Sequence, residues 1–180
     1  MNKVILISGK ARHGKDTFAE ILEEKLYQRG YSTVVDRFAK YIKGYLKDYY
    51  KWDGVTKSEE VRQKLQILGT DIIKEKLNYK CFHSLRLSQD FSIVQDDFDY
   101  FLVADARFED EILVMKSMFP NKVISVRIER DNITGGLTKE QLQHKSETAL
   151  DNFKFDVVIK NNGTLEDLSK EVDKFIEQIL

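Results

Sequence analysis

Apolar residues along this chain fall into two kinds of stretch, short continuous runs and longer segments in which they recur every three or four positions. The runs Val4-Ile5-Leu6-Ile7 and Tyr100-Phe101-Leu102-Val103-Ala104 have the character of parallel strands covered on both faces. Ser32–Val35, Val123–Ile128 and Phe155–Ile159 predict three further strands. Between them the period lengthens. Phe18, Ile21, Leu22 and Leu26 share one helical face, and Gly30 follows as a C-cap. Phe38, Tyr41, Ile42, Tyr45 and Tyr49 define a second helix to Tyr50, and Val61, Leu65, Leu68 and Ile72 a third that starts near Ser58. Phe82, Leu85 and Leu87 suggest another, Glu109–Met118 precedes Pro120, and Leu165, Leu168, Val172, Phe175, Ile176 and Ile179 line a terminal helix.

Strands alternating with helices predict an α/β fold with a parallel sheet and right-handed crossovers. Ligands of such sheets collect at the carboxyl ends of the strands. Gly9–Thr17, Asp36-Arg37, Asp105–Arg107, Arg127–Arg130 and Asn161–Gly163 all fall at those ends, so five pieces are expected to converge on one crevice. The stretch from Asp131 to Asp151, with Gly135-Gly136, a capping box at Thr138-x-x-Gln141 and a polar helix through His144, reads as too polar for core. It suits a lid that excludes water from the crevice.

Length and charge narrow the picture. A chain of 180 residues with 42% hydrophobic content predicts a single domain, 1–180, with a substantial core. Lys and Arg number 29 against 30 Asp and Glu, which argues against a dedicated nucleic-acid binder. Lys40, Lys43, Lys47 and Lys51 form a basic stripe that reads as a solvated face, with Lys43 set apart below. Cys81 is the single cysteine, so neither an intramolecular disulfide nor a cysteine-based zinc cluster is expected, and His13, His83 and His144 lack metal-ligand spacing. The start Met1-Asn2-Lys3 leads into no long apolar leader, and no run approaches the ~20 residues that span a bilayer. A cytoplasmic protein is expected.

The chemistry concentrates at Gly9-Lys10-Ala11-Arg12-His13-Gly14-Lys15-Asp16-Thr17, between a strand and a helix. The spacing G-x-x-x-x-G-K makes a loop whose N–H groups turn inward at a helix N-terminus and whose lysine reaches the terminal phosphates of a nucleoside triphosphate. Asp16 stands where Ser or Thr usually meets Mg²⁺, and Thr17 comes one place later. Asp105, at the end of an apolar strand, is a candidate for organising the same ion. Arg107 offers a planar fork for a phosphate, and Arg127 and Arg130 could add positive charge. Arg62 and Gln66 lie four apart and project together. Gly69 within a helical stretch costs about 1 kcal/mol relative to Ala, which points to a close approach. His144 reads as a lid-packing residue, since phosphoryl transfer asks little of a general base.

With these residues in hand the chain resembles the phage-type deoxynucleoside monophosphate kinases and, more distantly, the animal-type phosphomevalonate kinases. The resemblance is carried by Gly9-x4-Gly14-Lys15-Asp16-Thr17, Phe38-Ala39-x3-Lys43, Arg62-x3-Gln66-x2-Gly69-Thr70-Asp71, Asp105-x-Arg107-x3-Glu111, Ser146-Glu147 and Asp156-x-Val158-Ile159-x-Asn161-x-Gly163. It implies a three-layer P-loop kinase fold, a five-stranded parallel sheet flanked by helices, with acceptor-binding helices over about 37–95 and a mobile lid over about 130–152. It implies ATP and Mg²⁺, a small phosphorylated acceptor of the deoxynucleoside monophosphate kind, no membrane, no stable nucleic-acid binding, and a host cytoplasm if a phage encodes the chain; a homodimer stays open.

On the same resemblance Lys15, Arg107 and Arg130 are catalytic, and Gly9, Arg12, His13, Gly14, Lys15, Asp16, Thr17, Asn161 and Gly163 surround ATP, the last two by the adenine. Lys10, Lys43, Arg62, Gln66, Asp105, Arg107 and Glu147 surround the acceptor, and Asp16, Thr17 and Asp105 the metal. Lys40-Tyr41 replaces the Asp-Pro often found after Phe-Ala, and the middle segment is shorter than in some phage enzymes; both departures touch the acceptor pocket. Rival readings are a phosphomevalonate or other small phosphometabolite kinase, a non-catalytic nucleotide-binding switch, and a nucleic-acid end kinase that the neutral charge disfavours.

Overall fold

The computed structural model describes residues 2–56, 58–131 and 143–180. Five parallel strands form one sheet in the order β2-β3-β1-β4-β5, with β1 Lys3–Ser8, β2 Thr33–Asp36, β3 Tyr100–Ala106, β4 Val123–Glu129 and β5 Val157–Lys160. β1 lies in the middle, Ile5 opposite Leu102 on one side and Ile124 on the other. The loop that follows β1 therefore opens at the centre of the carboxyl edge, where the chain crosses to either side.

Side chains alternate across the sheet with period two. Ile5 and Ile7 face one layer, α1 (Lys15–Gln28) and a terminal helix Leu165–Ile179, through Phe18, Leu22, Leu26, Leu168, Val172 and Phe175. Val4 and Leu6 face the other, where Leu87 and Phe91 of α4 (Phe82–Val94) and Ile112 and Met115 of α5 (Glu109–Met118) close a second core with Phe101 and Val103. These are the three layers expected. α2 (Lys40–Tyr50) and α3 (Glu59–Gln66) extend as an arm, and α3 runs on as a π-helix, Ile67–Lys76. Ser58 caps α3 through Val61 N–H, and Thr164 with Asp167 forms a capping box at the terminal helix. The short helix α6, Lys145–Thr148, precedes that terminal helix, α7.

Several expected faces shift. α2 buries Ile42 and Leu46, with Phe38 buried just before it, a strict four-residue spacing, while Tyr45 and Tyr49 are exposed. In the arm, Ile72 is exposed and Ile73 and Lys74 are buried. The cause is the i→i+5 bonding of the π-helix, seen in Leu77 N–H to Ile72 O, which carries the buried stripe one residue onward. Leu85 and Leu165 are also exposed. In the segment read as too polar for core, Ser146, Glu147 and Leu150 are buried, and His144 caps α6 from its N-terminus instead of lying within a helix. Gly135-Gly136 and Thr138-x-x-Gln141 lie outside the described residues. No helix among the described residues is long and apolar enough to cross a membrane.

Phe175 is buried against the Phe18 ring, with centroids 5.7 Å apart, and joins α7 to the layer that carries the glycine loop. Phe175→Ala should lower unfolding free energy by about 3–5 kcal/mol, read from the urea midpoint at unchanged slope.

Candidate active site

The glycine loop is shaped by close approach. Gly9 has φ 148°, and a Cβ there would lie 2.5 Å from the Ile128 carbonyl oxygen; backbone cannot yield, so no larger residue fits. Gly14 has φ 92°, and its missing Cβ leaves room for the Asn161 amide, whose Nδ2 donates to His13 O at 3.0 Å. Asn161 is buried at the end of β5. The loop is thus pinned by the ends of β4 and β5, both on one side of β1. Arg12 takes the left-handed region at φ 66°, uncommon for a side chain of its size.

Lys15 opens α1 and is buried, its Nζ donating to Lys10 O at 2.9 Å. Burial, then the charge of Arg107, lower its pKa to about 8, against opposing pulls from Glu147, Asp16 and Asp105. The ammonium rests on the loop's own carbonyl, at the position where the lysine of such a loop meets terminal phosphates.

From this loop a cavity of about 320 Å³ runs under the arm. Ala11, Arg12, Lys15 and Asp16 form one end; Phe38, Ile42, Trp52, Val61 and Leu65 wall the other. Lys43, Arg62, Gln66, Asp105, Arg107 and Glu147 line it too, so every acceptor-side residue named from the sequence is present except Lys10. Asp105 accepts from Phe38 N–H at 2.7 Å and Ala39 N–H at 3.1 Å, which fixes the start of the arm. Glu111 accepts from the amides of Arg107 and Phe108 at 2.7 and 3.0 Å, setting the turn that presents Arg107. The Arg107 guanidinium pairs with Glu147 and donates to Ser146 O, while Glu147 accepts from Ala11 N–H at 2.9 Å. Burial opposes ionisation of Glu147, but Arg107 beside it more than offsets this and holds the carboxyl below the usual range. One carboxylate therefore joins the phosphate loop to the arginine of the opposite wall.

Gly69 meets the expected close approach: a Cβ would fall 2.8 Å from Ile42 Cδ1, and its carbonyl lies 3.2 Å from His83 Nε2. Burial lowers the His83 pKa, consistent with a neutral ring donating to that carbonyl. Sequence reasoning gave no site role to Arg37, Trp52, His83 or Glu111, all of which line the cavity. Arg37 carried a signal, its place at a strand end. Glu111 carried one too, in the pattern Asp105-x-Arg107-x3-Glu111, whereas Trp52 lies in a loop and His83 in the first turn of α4, where nothing in the spacing marks a site.

Other expectations change. Lys10 turns from the acceptor and pairs with Asp151 at 2.8 Å, and Arg127, inside β4, pairs with the same carboxylate at 3.2 Å. His13 Nδ1 lies 3.0 Å from the Arg130 amide nitrogen and 3.2 Å from the Ile128 carbonyl oxygen, and burial lowers the pKa of the ring. The His13 side chain thus ties the loop to the foot of the expected lid, and the exposed Arg130 does not line the cavity. Asn161 serves as a loop clamp, and Gly163 leaves space for the Asp167 carboxylate of the α7 cap. Asp16, expected beside a metal, pairs with Arg37 at 2.7 Å, and both oxygens of Asp105 are engaged by amides. Thr17, half-buried in the first turn of α1, keeps the hydroxyl of the expected cation set. Among the described residues no group of three His, Cys, Asp or Glu could hold a metal.

A central strand, a pinned glycine loop with its lysine, and a recess under a helical arm define a P-loop kinase fold. Solved structures agree: the thymidylate kinase of Candida albicans aligns over 98% of this chain and 92% of its own at a TM-score of 0.59 and 15% identity. The APS kinase CysC of Mycobacterium tuberculosis, in complex with AMPPNP and APS, aligns over 98% of each chain at 0.55 and 13%. The family profile described as deoxynucleotide monophosphate kinase matches residues 52–172, and the chain belongs to that family. The deoxynucleotide monophosphate kinase of Escherichia phage RB69 is 28% identical over 116 residues, 64% of this chain and 44% of that protein. The chain thus matches less than half the length of this curated relative.

If Asn161 holds the loop, Asn161→Ala leaves His13 O without its donor. We expect nucleotide affinity to fall about tenfold, in line with the 1–3 kcal/mol cost of an unsatisfied buried acceptor, as measured by titration with a fluorescent ATP analogue.

Proposed function

We propose that this protein phosphorylates deoxynucleoside monophosphates to diphosphates with ATP. The observation that carries this reading is the continuity of the cavity, which starts at the phosphate loop and ends in an aromatic and aliphatic recess. A second anion site, with Arg107, Lys43 and Arg62, lies between the two. A switch protein has no use for such a site. A recess walled by Phe38 and Trp52 suits a planar base better than the short aliphatic chain of phosphomevalonate. The family match, which takes in α3 but neither the loop nor α2, points the same way.

In this reading the loop amides and Lys15 hold the β and γ phosphates, and Lys15 exchanges the Lys10 carbonyl for phosphate oxygen. Arg107, Lys43 and Arg62 hold the acceptor phosphate, with Gln66 beside them. An acceptor phosphate oxygen forms a bond to the γ-phosphorus, the bond from that phosphorus to the β–γ bridging oxygen breaks, and ADP leaves with the electron pair. The protein's part is alignment and neutralisation of charge in a site closed to water. Mg²⁺, when bound, neutralises phosphate oxygens. Thr17 Oγ would hold it, the remaining positions going to phosphates and water, as this ion prefers. We assign the lid role to the segment 130–152, as its sequence suggests, within a single domain spanning 1–180.

An assay of ADP release with the four deoxynucleoside monophosphates, their ribose counterparts and phosphomevalonate tests the reading. Turnover is expected with at least one deoxynucleotide; turnover with phosphomevalonate alone, or with none, overturns it. Lys15→Ala should lower kcat/KM by orders of magnitude with an unchanged circular dichroism spectrum. In the wild type, kcat/KM for ATP should fall as pH rises through about 8, because the free enzyme's Lys15 loses its charge there. The kcat profile should break at higher pH, since bound phosphate favours the ammonium. An ATP kcat/KM that stays flat to pH 9.5 would contradict the role given to Lys15.

A further inference from the structure

We infer that Arg37 is a catalytic residue of this site and that Asp16 is its positioning residue, not a ligand of the metal ion. The inference rests on the kinase reading above and assigns one more cation to the acceptor phosphate.

Asp16 occupies the second position of α1, next to Lys15, where an uncompensated carboxylate would repel a polyphosphate. Its Oδ1 accepts from Arg37 Nη1 at 2.7 Å, and both side chains line the cavity. The pair is part-exposed, 36% for Arg37 and 53% for Asp16, and pairs so exposed contribute little to stability. The backbone around Arg37 is nevertheless fixed on both sides. Arg37 N–H donates to Asp36 Oδ1 at 2.8 Å, and the amides of Phe38 and Ala39 are held by Asp105. Arg37 O accepts from Lys40 N–H at 3.1 Å.

A guanidinium has five N–H donors in a rigid fork, so one bond to Asp16 orients it without exhausting it. It is held between Lys15, on the donor side, and the start of the arm that carries the acceptor recess. That is where negative charge gathers as the acceptor oxygen bonds to the γ-phosphorus and the bridging oxygen departs with ADP. The aspartate of the loop signature thus neutralises itself and aims a cation in one contact. Its carboxylate is directed across the cavity to β2.

A double-mutant cycle separates this role from metal binding. Wild type, Asp16→Asn, Arg37→Ala, Arg37→Lys and the double variant D16N/R37A are compared. The readouts are acceptor kcat/KM, deoxynucleotide binding by calorimetry, and the Mg²⁺ dependence of AMPPNP binding. Arg37→Ala should lose at least a hundredfold in kcat/KM and Asp16→Asn about tenfold. Arg37→Lys should recover less than a tenth of the wild-type value, because the fork is lost. The double variant should match Arg37→Ala within twofold, with AMPPNP affinity and its Mg²⁺ midpoint within twofold of wild type throughout. Losses that multiply in the double variant, a Mg²⁺ midpoint raised fivefold or more by Asp16→Asn, or full activity in Arg37→Ala would each overturn the inference. A wild type that turns over no deoxynucleotide refutes the kinase reading itself; the Mg²⁺ midpoint still judges whether Asp16 serves the metal.

Discussion

The site depends on the backbone of β4 and the Asn161 side chain pressing on two glycines. Gly9 lies against the Ile128 carbonyl and Gly14 against the Asn161 amide, so the loop is held against the ends of the two strands on one side of β1. Those strands are held in turn by apolar cores on both sides of the sheet. A rigid loop is what anion binding requires, because amides that already point inward do not have to be ordered when phosphate arrives. The cores on the two faces therefore serve the chemistry by fixing where the strands end.

Within that frame, the site satisfies its charges internally. Lys15 rests on Lys10 O, Arg107 on Glu147, Arg37 on Asp16, and the Ala11 amide on Glu147. Buried or half-buried charge without a partner is costly, so each group is paired within the protein; under the proposed function these partners stand in for phosphate oxygen. Binding is then an exchange of partners more than the making of new ones. Glu147 has the widest reach among these stand-ins, since its two oxygens join the donor loop to the acceptor arginine. It lies within the segment expected to form the lid, in the short helix α6.

Much of this was legible in the residue order. Continuous apolar runs located β1 and β3, which are covered on both faces and have no polar side to blur them, and strand-forming residues between turns located the other three. Gly9-x4-Gly14-Lys15 located the loop, because positive φ and close backbone approach leave few residue types to choose from. Arg62 with Gln66, and Asp105 with Arg107, were found by spacing alone. What periodicity could not supply was the direction of individual side chains. Asp16 turns to Arg37 twenty-one positions away, Lys10 to Asp151, and Asn161 to the loop instead of to a base. Such pairings depend on strand order and on the path of the arm, neither of which local spacing encodes. The π-helix is the sharpest case: an α-helical period puts Ile72 inside, whereas the wider turn puts Ile73 and Lys74 there. Local sequence thus determined the elements and the residue types of the site, through short-range sterics and hydrophobic period. Tertiary packing decided which charges meet, because that is set by contacts between segments far apart in the chain.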